Sequence, residues 1–511
     1  MKRSLFRAGV LLTSTLLVVL SACSTAPPDQ RPRIELPQEL RLPQRQFAAL
    51  FERRVGRIAV LDEQGNIAIT DQTGREWLML TQDAGQLTSS GERIVYGLPV
   101  WSPDGQRVAF VRQTIRQTDN FSVIVRPRSV TIKPSAEAAV LEANGASVPL
   151  TREITFDAPE QVIIQHLTPE KLIGSYAIYI ADAHGRRPTR EVFYSQQEQP
   201  LFFDWSRDGA RIALLTRDAR GRARLRLLEP RDGKPALSVF EGRFAAWDWH
   251  PSTRQLVARL DDFSGRSVLA LIDENGKLTR LAQYEQPMAL LAPAFSPDGQ
   301  FLLITEREGD KHQLLLSDVS GNTRRALLRF DAQARISFAW SPKGATLAYM
   351  IQLPGEIGGA LHVMDVNTGE RSVLVNRDVV AFFWSPDGER IAVFSQLAPQ
   401  ELSPNFKGLF LLSSPPSQEG AYLLEVVDPV TRASRALFYL APTQAFQQLV
   451  AEFDRYSRVL TPWSPDGRKL VLTLSLELGT QASGFVIETE ASGSLTPRFL
   501  GVGRLAFWSQ R

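Results

Sequence analysis

The feature of this sequence that most constrains its fold is a five-residue pattern that recurs along the chain. Trp-Ser-Pro-Asp-Gly occurs at Trp101–Gly105, Trp384–Gly388 and Trp463–Gly467. Altered or partial copies place their aromatic residue at Trp205, Trp249, Phe295, Trp340 and Trp508. Five of the seven intervals between successive aromatic positions are 44 to 46 residues long, and the other two are 104 and 79 residues. Such regular spacing indicates a fold built from repeated units.

Each copy predicts a tight turn between two antiparallel strands. Proline presets the backbone of a type I turn, aspartate tolerates the next position, and glycine accepts the left-handed conformation that follows. An apolar run follows each turn, as in Arg107–Val111, and a later Asp-to-Gly turn, as in Asp318–Gly321, ends a third strand. Four short antiparallel strands in about 45 residues are typical of a β-propeller blade.

The two ends of the chain predict how the ring closes. Residues Arg57–Leu80 supply three strands without an innermost strand, and Arg504–Trp508 supplies an innermost strand with nothing after it. Pairing them makes one composite blade and removes two exposed sheet edges. The eight aromatic positions then predict an all-β propeller of eight four-stranded antiparallel blades. The alternative is that the long stretch after Arg112 contains a degenerate ninth blade.

These repeats resemble the PD40, or WD40-like, repeats of TolB-like propellers, which also occur in the propellers of prolyl-oligopeptidase-type enzymes. The resemblance covers approximately Gly56 to Arg511 and implies the propeller fold, but this repeat serves both binding proteins and enzyme accessory domains. Three copies depart from the pattern: Arg207 replaces proline, Lys343 replaces aspartate, and the copy containing His250 has no glycine. These departures put only the local turn geometry in doubt.

The N-terminal segment predicts export. A basic start precedes an apolar run from Ala8 to Val19, which is too short to span a membrane, and then Leu20-Ser21-Ala22-Cys23. The last four residues resemble a bacterial lipoprotein signal, which implies cleavage of residues 1–22 and lipidation of Cys23. The alternative is a plain secretory signal followed by a chance cysteine. Ser24 implies the outer membrane if the source is Gram-negative. We therefore expect a lipid-anchored, extracytoplasmic protein.

The proline-rich stretch 23–46 is predicted to be a tether, and residues 47–511 are predicted to form a single propeller domain.

The composition excludes some classes of protein. An apolar content of 43% excludes wholesale disorder. Without the basic residues Lys2, Arg3 and Arg7 of the signal, 55 basic side chains face 55 acidic ones, which is a poor basis for nucleic-acid binding. Cys23 is the sole cysteine, so we expect no internal disulfide.

Three insertions interrupt the repeats, at about 112–175, 396–419 and 441–458. We label the strands of a blade A to D outward from the channel. The insertions then enter through B–C and D–A connections, which share one face of a propeller. They belong to blades two and seven and to the junction of blades seven and eight, which occupy one sector of a ring of eight. The sequence therefore predicts that they cluster over one sector and form most of a partner-binding surface. The alternative is neutral drift at permissive loops.

The insertion at 441–458 contains a helical pattern that begins at Thr443. Phe446, Phe453 and Tyr456 recur at helical spacing with Arg455 between them, and we name these four as candidate binding residues. The pattern nevertheless favours packing of the apolar stripe on its own propeller over contact with a partner.

Signs of catalysis are few. There is no Gly-x-Ser-x-Gly elbow, and the five histidines are dispersed without metal-ligand spacing. Asp204 and Asp248 each precede a repeat aromatic residue, so they are candidates for a site in the central channel. Such carboxylates could bind a cation or act as acid and base, but more often they accept hydrogen bonds from nearby donors. We predict no cofactor and no metal.

Two classes of function remain open. The first is a noncatalytic envelope lipoprotein, a monomer that uses its propeller to bind a protein or peptide, or else a glycan. Its membrane contact is through the lipid anchor only. The second is a propeller hydrolase or lyase with an active site near the central channel. The sequence favours the first class.

Overall fold

The computed structural model describes residues 55–116, 174–230, 235–285, 292–322, 324–396, 422–478, 481–493 and 497–511, and six short strands between residues 122 and 165. The chain divides into two units, Met1–Phe51 and Glu52–Arg511. The first unit, with Cys23 and the tether, lies outside the described residues, so the predicted signal and anchor stay predictions. Among the described residues, no helix has the length and apolar character needed to cross a bilayer.

The described strands form successive antiparallel units in chain order, numbered here as blades 1 to 8. From strand A to strand D, blade 1 consists of Leu505–Trp508, Arg57–Leu61, Ile67–Asp71 and Trp77–Met79, and blade 2 consists of Val100–Trp101, Arg107–Arg116, Tyr176–Asp182 and Arg190–Ser195. Blade 3 consists of Glu198–Trp205, Ile212–Asp218, Ala223–Leu228 and Leu237–Gly242. Blade 4 consists of Phe244–Trp249, Leu256–Asp261, Ser267–Ile272 and Leu278–Tyr284. An extra strand, Glu92–Tyr96, pairs with strand B of blade 2.

Blades 5 to 8 follow the same order. Blade 5 consists of Ala294–Phe295, Phe301–Glu308, Lys311–Asp318 and Arg324–Asp331, and blade 6 consists of Arg335–Ser341, Gly344–Gln352, Gly359–Asp365 and Arg371–Trp384. Blade 7 consists of the end of Arg371–Trp384, Ile391–Gln396, Tyr422–Val427 and Ser434–Leu440. In blade 8, strand A is represented by Trp463, which is bridged to Leu470, and the other strands are Lys469–Leu478, Gln481–Glu490 and Arg498–Val502. The strand Arg371–Trp384 thus serves as the outermost strand of blade 6 and the innermost of blade 7. These antiparallel sheets confirm the β-propeller class, and eight as the number of blades in the whole ring stays a prediction.

The composite blade is confirmed by the pairing of the two chain ends. Strand Arg57–Leu61 pairs antiparallel with Leu505–Trp508, with Ile58 opposite Trp508 and Leu61 opposite Leu505. Trp508 is buried in a cluster with Ile58 and Val471, so the last strand joins blade 1 to blade 8 through apolar contacts. The burial of this strand stabilises both blades.

The repeated pentapeptide forms a hydrogen-bonded turn at each complete copy. In the first copy, Ser102 Oγ donates to Asp104 Oδ1 at 2.5 Å and accepts from the amide of Arg107 at 3.0 Å. The serine is fully buried. In the degenerate copy, His250 Nδ1 takes over part of this role by accepting from the amides of Ser252 and Thr253, both at 3.1 Å.

Four of the repeat tryptophans tie their blade to the one before it. Their indole N–H groups donate to the carbonyl of the residue that precedes the repeat aromatic in the previous blade. The pairs are Trp101 with Phe507 at 3.4 Å, Trp205 with Val100 at 3.3 Å, Trp384 with Ala339 at 3.1 Å and Trp463 with Phe383 at 2.8 Å. The aromatic rings therefore pack between neighbouring sheets, and the core of the propeller lies in these junctions.

The insertions leave the blades at the connections that the sequence predicts. The first lies between strands B and C of blade 2, and its strands form two three-stranded sheets: Ala146–Leu150, Ala139–Ala143, Val130–Pro134, and Thr155–Ala158, Gln161–Gln165, Ser122–Val125. Each of these sheets has three strands within the described residues. The second lies between strands B and C of blade 7, and residues 397–421 of it are outside the described residues. The third, between blades 7 and 8, forms helices α1 (Gln444–Ala451) and α2 (Phe453–Tyr456).

Candidate functional site

The candidate site is the mouth of the central channel on the face of the B–C and D–A connections, where residues 441–458, here the mouth insertion, are held. As predicted, helix α1 begins after Thr443, whose Oγ1 accepts from the amide of Phe446 at 3.3 Å. The same hydroxyl donates to the carbonyl of Arg504 at 2.5 Å. Because Arg504 directly precedes the last strand, this bond fixes the start of the insertion to blade 1.

The aromatic residues of the mouth insertion pack inward, against blade 7. Phe446 lies 5.2 Å, between ring centroids, from Phe394, and Phe453 lies 5.0 and 5.4 Å from Phe382 and Phe383. Phe446 and Phe453 are only 4% and 3% exposed. These two candidate binding residues are therefore part of the core, and a partner cannot reach their rings directly. The packing that the apolar pattern favoured is the one observed.

The other two candidate binding residues reach blade 3 on the other side of the mouth. Tyr456 packs edge-on against Phe202 at 5.7 Å between centroids, and the Arg455 guanidinium lies 5.9 Å from the same ring. Arg455 also pairs with Glu452 at 3.3 Å. Burial raises the pKa of the Tyr456 hydroxyl. Helix α2 therefore spans the mouth from blade 7 to blade 3.

Arg458, which follows α2, fixes the mouth insertion to three further blades. Its Nη1 donates to the carbonyl of Pro293 at 2.9 Å in blade 5, and its guanidinium lies 5.7 Å from the ring of Phe338 in blade 6. Nη1 is also 3.9 Å from Asp248 Oδ1 in blade 4. The mouth insertion is thus held by the innermost strands of five successive blades, 3 to 7.

Asp204 lies on strand A of blade 3 and accepts two indole hydrogen bonds from blade 4. Its Oδ1 is 2.7 Å from Nε1 of Trp247 and 2.9 Å from Nε1 of Trp249. Burial raises the pKa of this carboxyl to about 7, although the two indole bonds and Arg207 oppose the shift. The residue therefore joins two blades and titrates near neutral pH.

Asp248 lies at the corresponding position on strand A of blade 4 and likewise accepts a hydrogen bond from the next blade. Its Oδ2 accepts from the amide of Phe295 in blade 5 at 2.9 Å. Its Oδ1 lies 3.7 Å from Nη2 of Arg207, in addition to the contact with Arg458 at 3.9 Å. Both candidate channel carboxylates therefore have partners within the protein, which favours a structural role for them over acid–base catalysis.

The described part of the chain contains no group of three or more histidine, cysteine, aspartate or glutamate side chains arranged to hold a metal ion. It does contain an open cleft of about 340 Å³ beside the mouth insertion, between α1 and blades 6 and 7. Its lining is mixed, with apolar side chains such as Met350 and Val450 beside the polar side chains of Arg335, Gln352 and Gln447. Ile357, which also lines the cleft, is 60% exposed, and neighbouring Leu353 is 47% exposed.

Sequence reasoning missed Arg458 and the aromatic residues that receive the mouth insertion. A weak signal for the latter exists, because Phe202, Phe338 and Phe382 each lie two or three positions before a repeat tryptophan. No comparable signal marks Arg458, whose partners lie more than 100 residues away in the sequence.

Comparison with known proteins gives similarity in structure only. No family model matches the sequence, and no curated protein matches it. TolB from Acinetobacter baumannii is similar, with 14% identity, a TM-score of 0.33, and coverage of 66% of this chain and 79% of that one. An oligogalacturonate lyase in complex with manganese gives 14% identity, a TM-score of 0.39, and coverage of 77% and 98%.

Dipeptidyl peptidase 4 from Porphyromonas gingivalis gives 12% identity and a TM-score of 0.42, with coverage of 65% of this chain. The similarity spans about half of the peptidase, 48% of its length. The strand pairing of this chain, rather than the scores, establishes its fold.

Proposed function

We propose that this chain is a lipid-anchored envelope protein whose propeller binds a protein or peptide without catalysing a reaction. The observation that carries the proposal is the filled channel mouth. The mouth insertion packs against the innermost strands of five blades, with Phe446 and Phe453 almost fully buried. The mouth insertion closes the entrance to the channel and forms an exposed surface in its place. Binding sites commonly lie on loops that are held by a rigid scaffold.

The carboxylates support the same proposal. Asp204 accepts from Trp247 and Trp249, and Asp248 accepts from the backbone of blade 5 and faces Arg207 and Arg458. A catalytic pair needs an open approach for the substrate, whereas these groups use their hydrogen bonds to hold neighbouring blades together.

The cleft beside the mouth insertion is the part of this face best suited to receive a peptide. Its apolar lining residues, such as Met350 and Val450, can contact one apolar side chain of a peptide, and its polar lining residues can bind the main chain around it. Exposed Leu353 and Ile357 extend the apolar area beyond the cleft. We therefore expect a peptide segment that anchors an apolar side chain there.

Site-specific photo-crosslinking in cells tests the binding face. A crosslinker replaces exposed Gln447 on the mouth insertion, and the matched control replaces exposed Asn275 in a turn on the opposite face of blade 4. We expect a defined adduct from position 447, identified by mass spectrometry, and none from position 275. Adducts from position 275 alone would place the partner on the other face and contradict the proposal.

The lipid anchor requires a separate test. The substitution Cys23→Ala should move the protein from the membrane fraction to the soluble fraction, because we propose no other membrane contact. Detergent partitioning measures the distribution. Retention of the Cys23→Ala protein in membranes would show that the tether or the propeller binds membranes independently.

A further inference from the structure

Arginine closes the junction between blades 2 and 3 on the face that carries the pentapeptide turns. Arg107 of blade 2 donates to the carbonyl of Gly209 at 2.8 Å, and its guanidinium lies 4.6 Å from the ring of Trp205, both in blade 3. It also lies 3.7 Å from Asp104 in its own turn. The guanidinium is thus held by a ring, a turn carbonyl and a carboxylate.

The junction between blades 7 and 8 repeats this arrangement. Arg390 donates to the carbonyl of Gly467 at 2.7 Å and lies 5.6 Å from the ring of Trp463. Its distance to Asp387 of its own turn is 3.8 Å. Two separate junctions therefore bind a guanidinium through the same three groups.

The junction between blades 5 and 6 has the corresponding residues but lacks the arginine. The position that matches Arg107 and Arg390, six residues after the repeat aromatic, is Phe301, which is 41% exposed. Asp298, Trp340 and Gly344 together line an open cleft of about 400 Å³ at this junction. We refer to it as the blade 5–6 cleft.

The space beside the turn glycine is filled by a side chain of the preceding blade at the other two junctions and is open at the blade 5–6 cleft. A Cβ atom built on Gly209 would meet Arg107 at 2.8 Å, and one built on Gly467 would meet Asp387 at 3.1 Å. A Cβ atom on Gly344 meets nothing within 4 Å among the described residues. The preceding blade therefore leaves this turn uncovered.

Lys343 lines the blade 5–6 cleft and Arg325 lies near it, and both are engaged with other groups. Lys343 Nζ lies 3.1 Å from Glu389 Oε1 of blade 7, and the Arg325 guanidinium donates to the carbonyls of Asn367 and Val366 at the rim. Asp298 accepts from Ser296 Oγ, and this bond holds the pKa of its carboxyl below the ordinary value. The carboxylate is therefore available as a negative charge at neutral pH.

We propose that the blade 5–6 cleft binds an arginine side chain of a partner protein, in the position that Arg107 and Arg390 fill at their own junctions. The face of Trp340 receives the planar guanidinium, and the Asp298 carboxylate supplies the counter-charge. The cleft lies on the turn face, opposite the mouth insertion. It is a second recognition site, and its test does not depend on the proposed function.

Titration with N-acetyl-arginine amide tests the proposal directly. The protein is prepared from residue 23 onward with Cys23→Ser, and the indole N–H signal of Trp340 is followed by NMR. The variant Trp340→Phe assigns that signal among the nine tryptophans. We expect a saturable shift with the arginine probe and none with N-acetyl-citrulline amide, which has the same shape without the charge. No saturable shift, or equal shifts with both probes, would overturn the proposal.

Variants of the cleft provide the second arm of the test. Phe301→Arg should fill the cleft from within and abolish the arginine-induced shift, whereas the matched control Phe301→Leu should retain it. Asp298→Asn keeps the acceptor for Ser296 and should weaken probe binding by about tenfold, because a charge-assisted contact is lost. Equal binding by the Phe301→Arg and wild-type proteins would overturn the proposal, since the probe would then bind elsewhere.

Discussion

The two faces of this propeller are built in different ways. The turn face carries the repeated pentapeptide turns, and the complete copies are closed by the same hydrogen bonds, as at Ser102 and Ser385. The opposite mouth is filled by a single unrepeated segment, the mouth insertion. The repeated face is set by local sequence, whereas the mouth depends on contacts between distant residues such as Arg458 and Asp248. The repeated blades therefore form a regular framework, here called the frame, and the mouth insertion distinguishes one face of it from the other.

The comparison extends to the junctions within the turn face. The blade 2–3 and blade 7–8 junctions hold an arginine over a tryptophan ring, but the blade 5–6 junction does not. At the blade 5–6 junction, Phe301 stands at the position of Arg107 and Arg390, and an open cleft lies there. Junctions that share an aspartate, a tryptophan and a glycine therefore differ in whether an arginine covers the tryptophan ring.

Removal of the last strand should have the largest effect on the frame. Deletion of residues 504–511 takes away Leu505–Trp508, all four of which are buried, and leaves blade 1 without its innermost strand. Loss of the Trp508 side chain alone costs about 3–5 kcal/mol, a large part of a typical free energy of unfolding. We expect loss of the cooperative thermal transition in calorimetry. An unchanged melting temperature would contradict closure through the composite blade.

A core substitution in the mouth insertion should come next. Phe453→Ala removes a ring that packs on Phe382 and Phe383, and we expect a loss of about 3–5 kcal/mol in the free energy of unfolding. Gln447→Ala, on the exposed side of α1, is the matched control and should change stability by less than about 0.5 kcal/mol. Chemical denaturation measures both. Equal effects would show that the insertion rests loosely on the mouth.

The raised pKa of Asp204 predicts a pH dependence that originates at the junction between blades 3 and 4. The unfolded carboxyl titrates near 4, and the folded one at about 7, so between these values the folded state binds the extra proton. Stability should therefore fall as pH rises from about 4 to about 7, by at most about 4 kcal/mol. Asp204→Asn keeps an acceptor for the two indoles and should flatten this slope in denaturation curves across that range. The same slope in both proteins would assign it to another group.

The smallest effect concerns the turn face. Gly388 has a φ of +67°, and a Cβ atom there would lie 3.0 Å from Ser341 Oγ, so Gly388→Ala should cost about 1–2 kcal/mol. Ser252 is exposed in the degenerate copy, and Ser252→Ala should cost less than about 0.5 kcal/mol. Melting temperatures of the two variants provide the measurement. Equal losses would mean that the complete turns are no more demanding than the degenerate one.

Much of the frame was predictable because its signals are local. The proline, aspartate and glycine of each turn determine backbone conformation within a few residues, and the helix start at Thr443 follows from its capping side chain. The composite blade was also predictable, since an unpaired strand at each chain end leaves one simple way to close the ring.

The candidate site was less predictable because its contacts join distant parts of the sequence. The pattern of Phe446 and Phe453 showed an apolar stripe, but their partners Phe394 and Phe382 lie on two strands of blade 7, more than 50 residues earlier in the sequence. The roles of Asp204 and Asp248 likewise depend on the spacing between neighbouring blades, which a linear sequence does not specify.

The central claim is that the mouth insertion is a fixed part of the propeller and turns the channel mouth into a binding surface. Hydrogen exchange of the backbone amides in α1 and α2, followed by mass spectrometry, tests this most directly. We predict that residues 444–456 exchange as slowly as the blade strands that they contact, because their apolar side chains are buried among them. Exchange as fast as that of the exposed turn at Asn275 would contradict the claim and restore an open channel mouth.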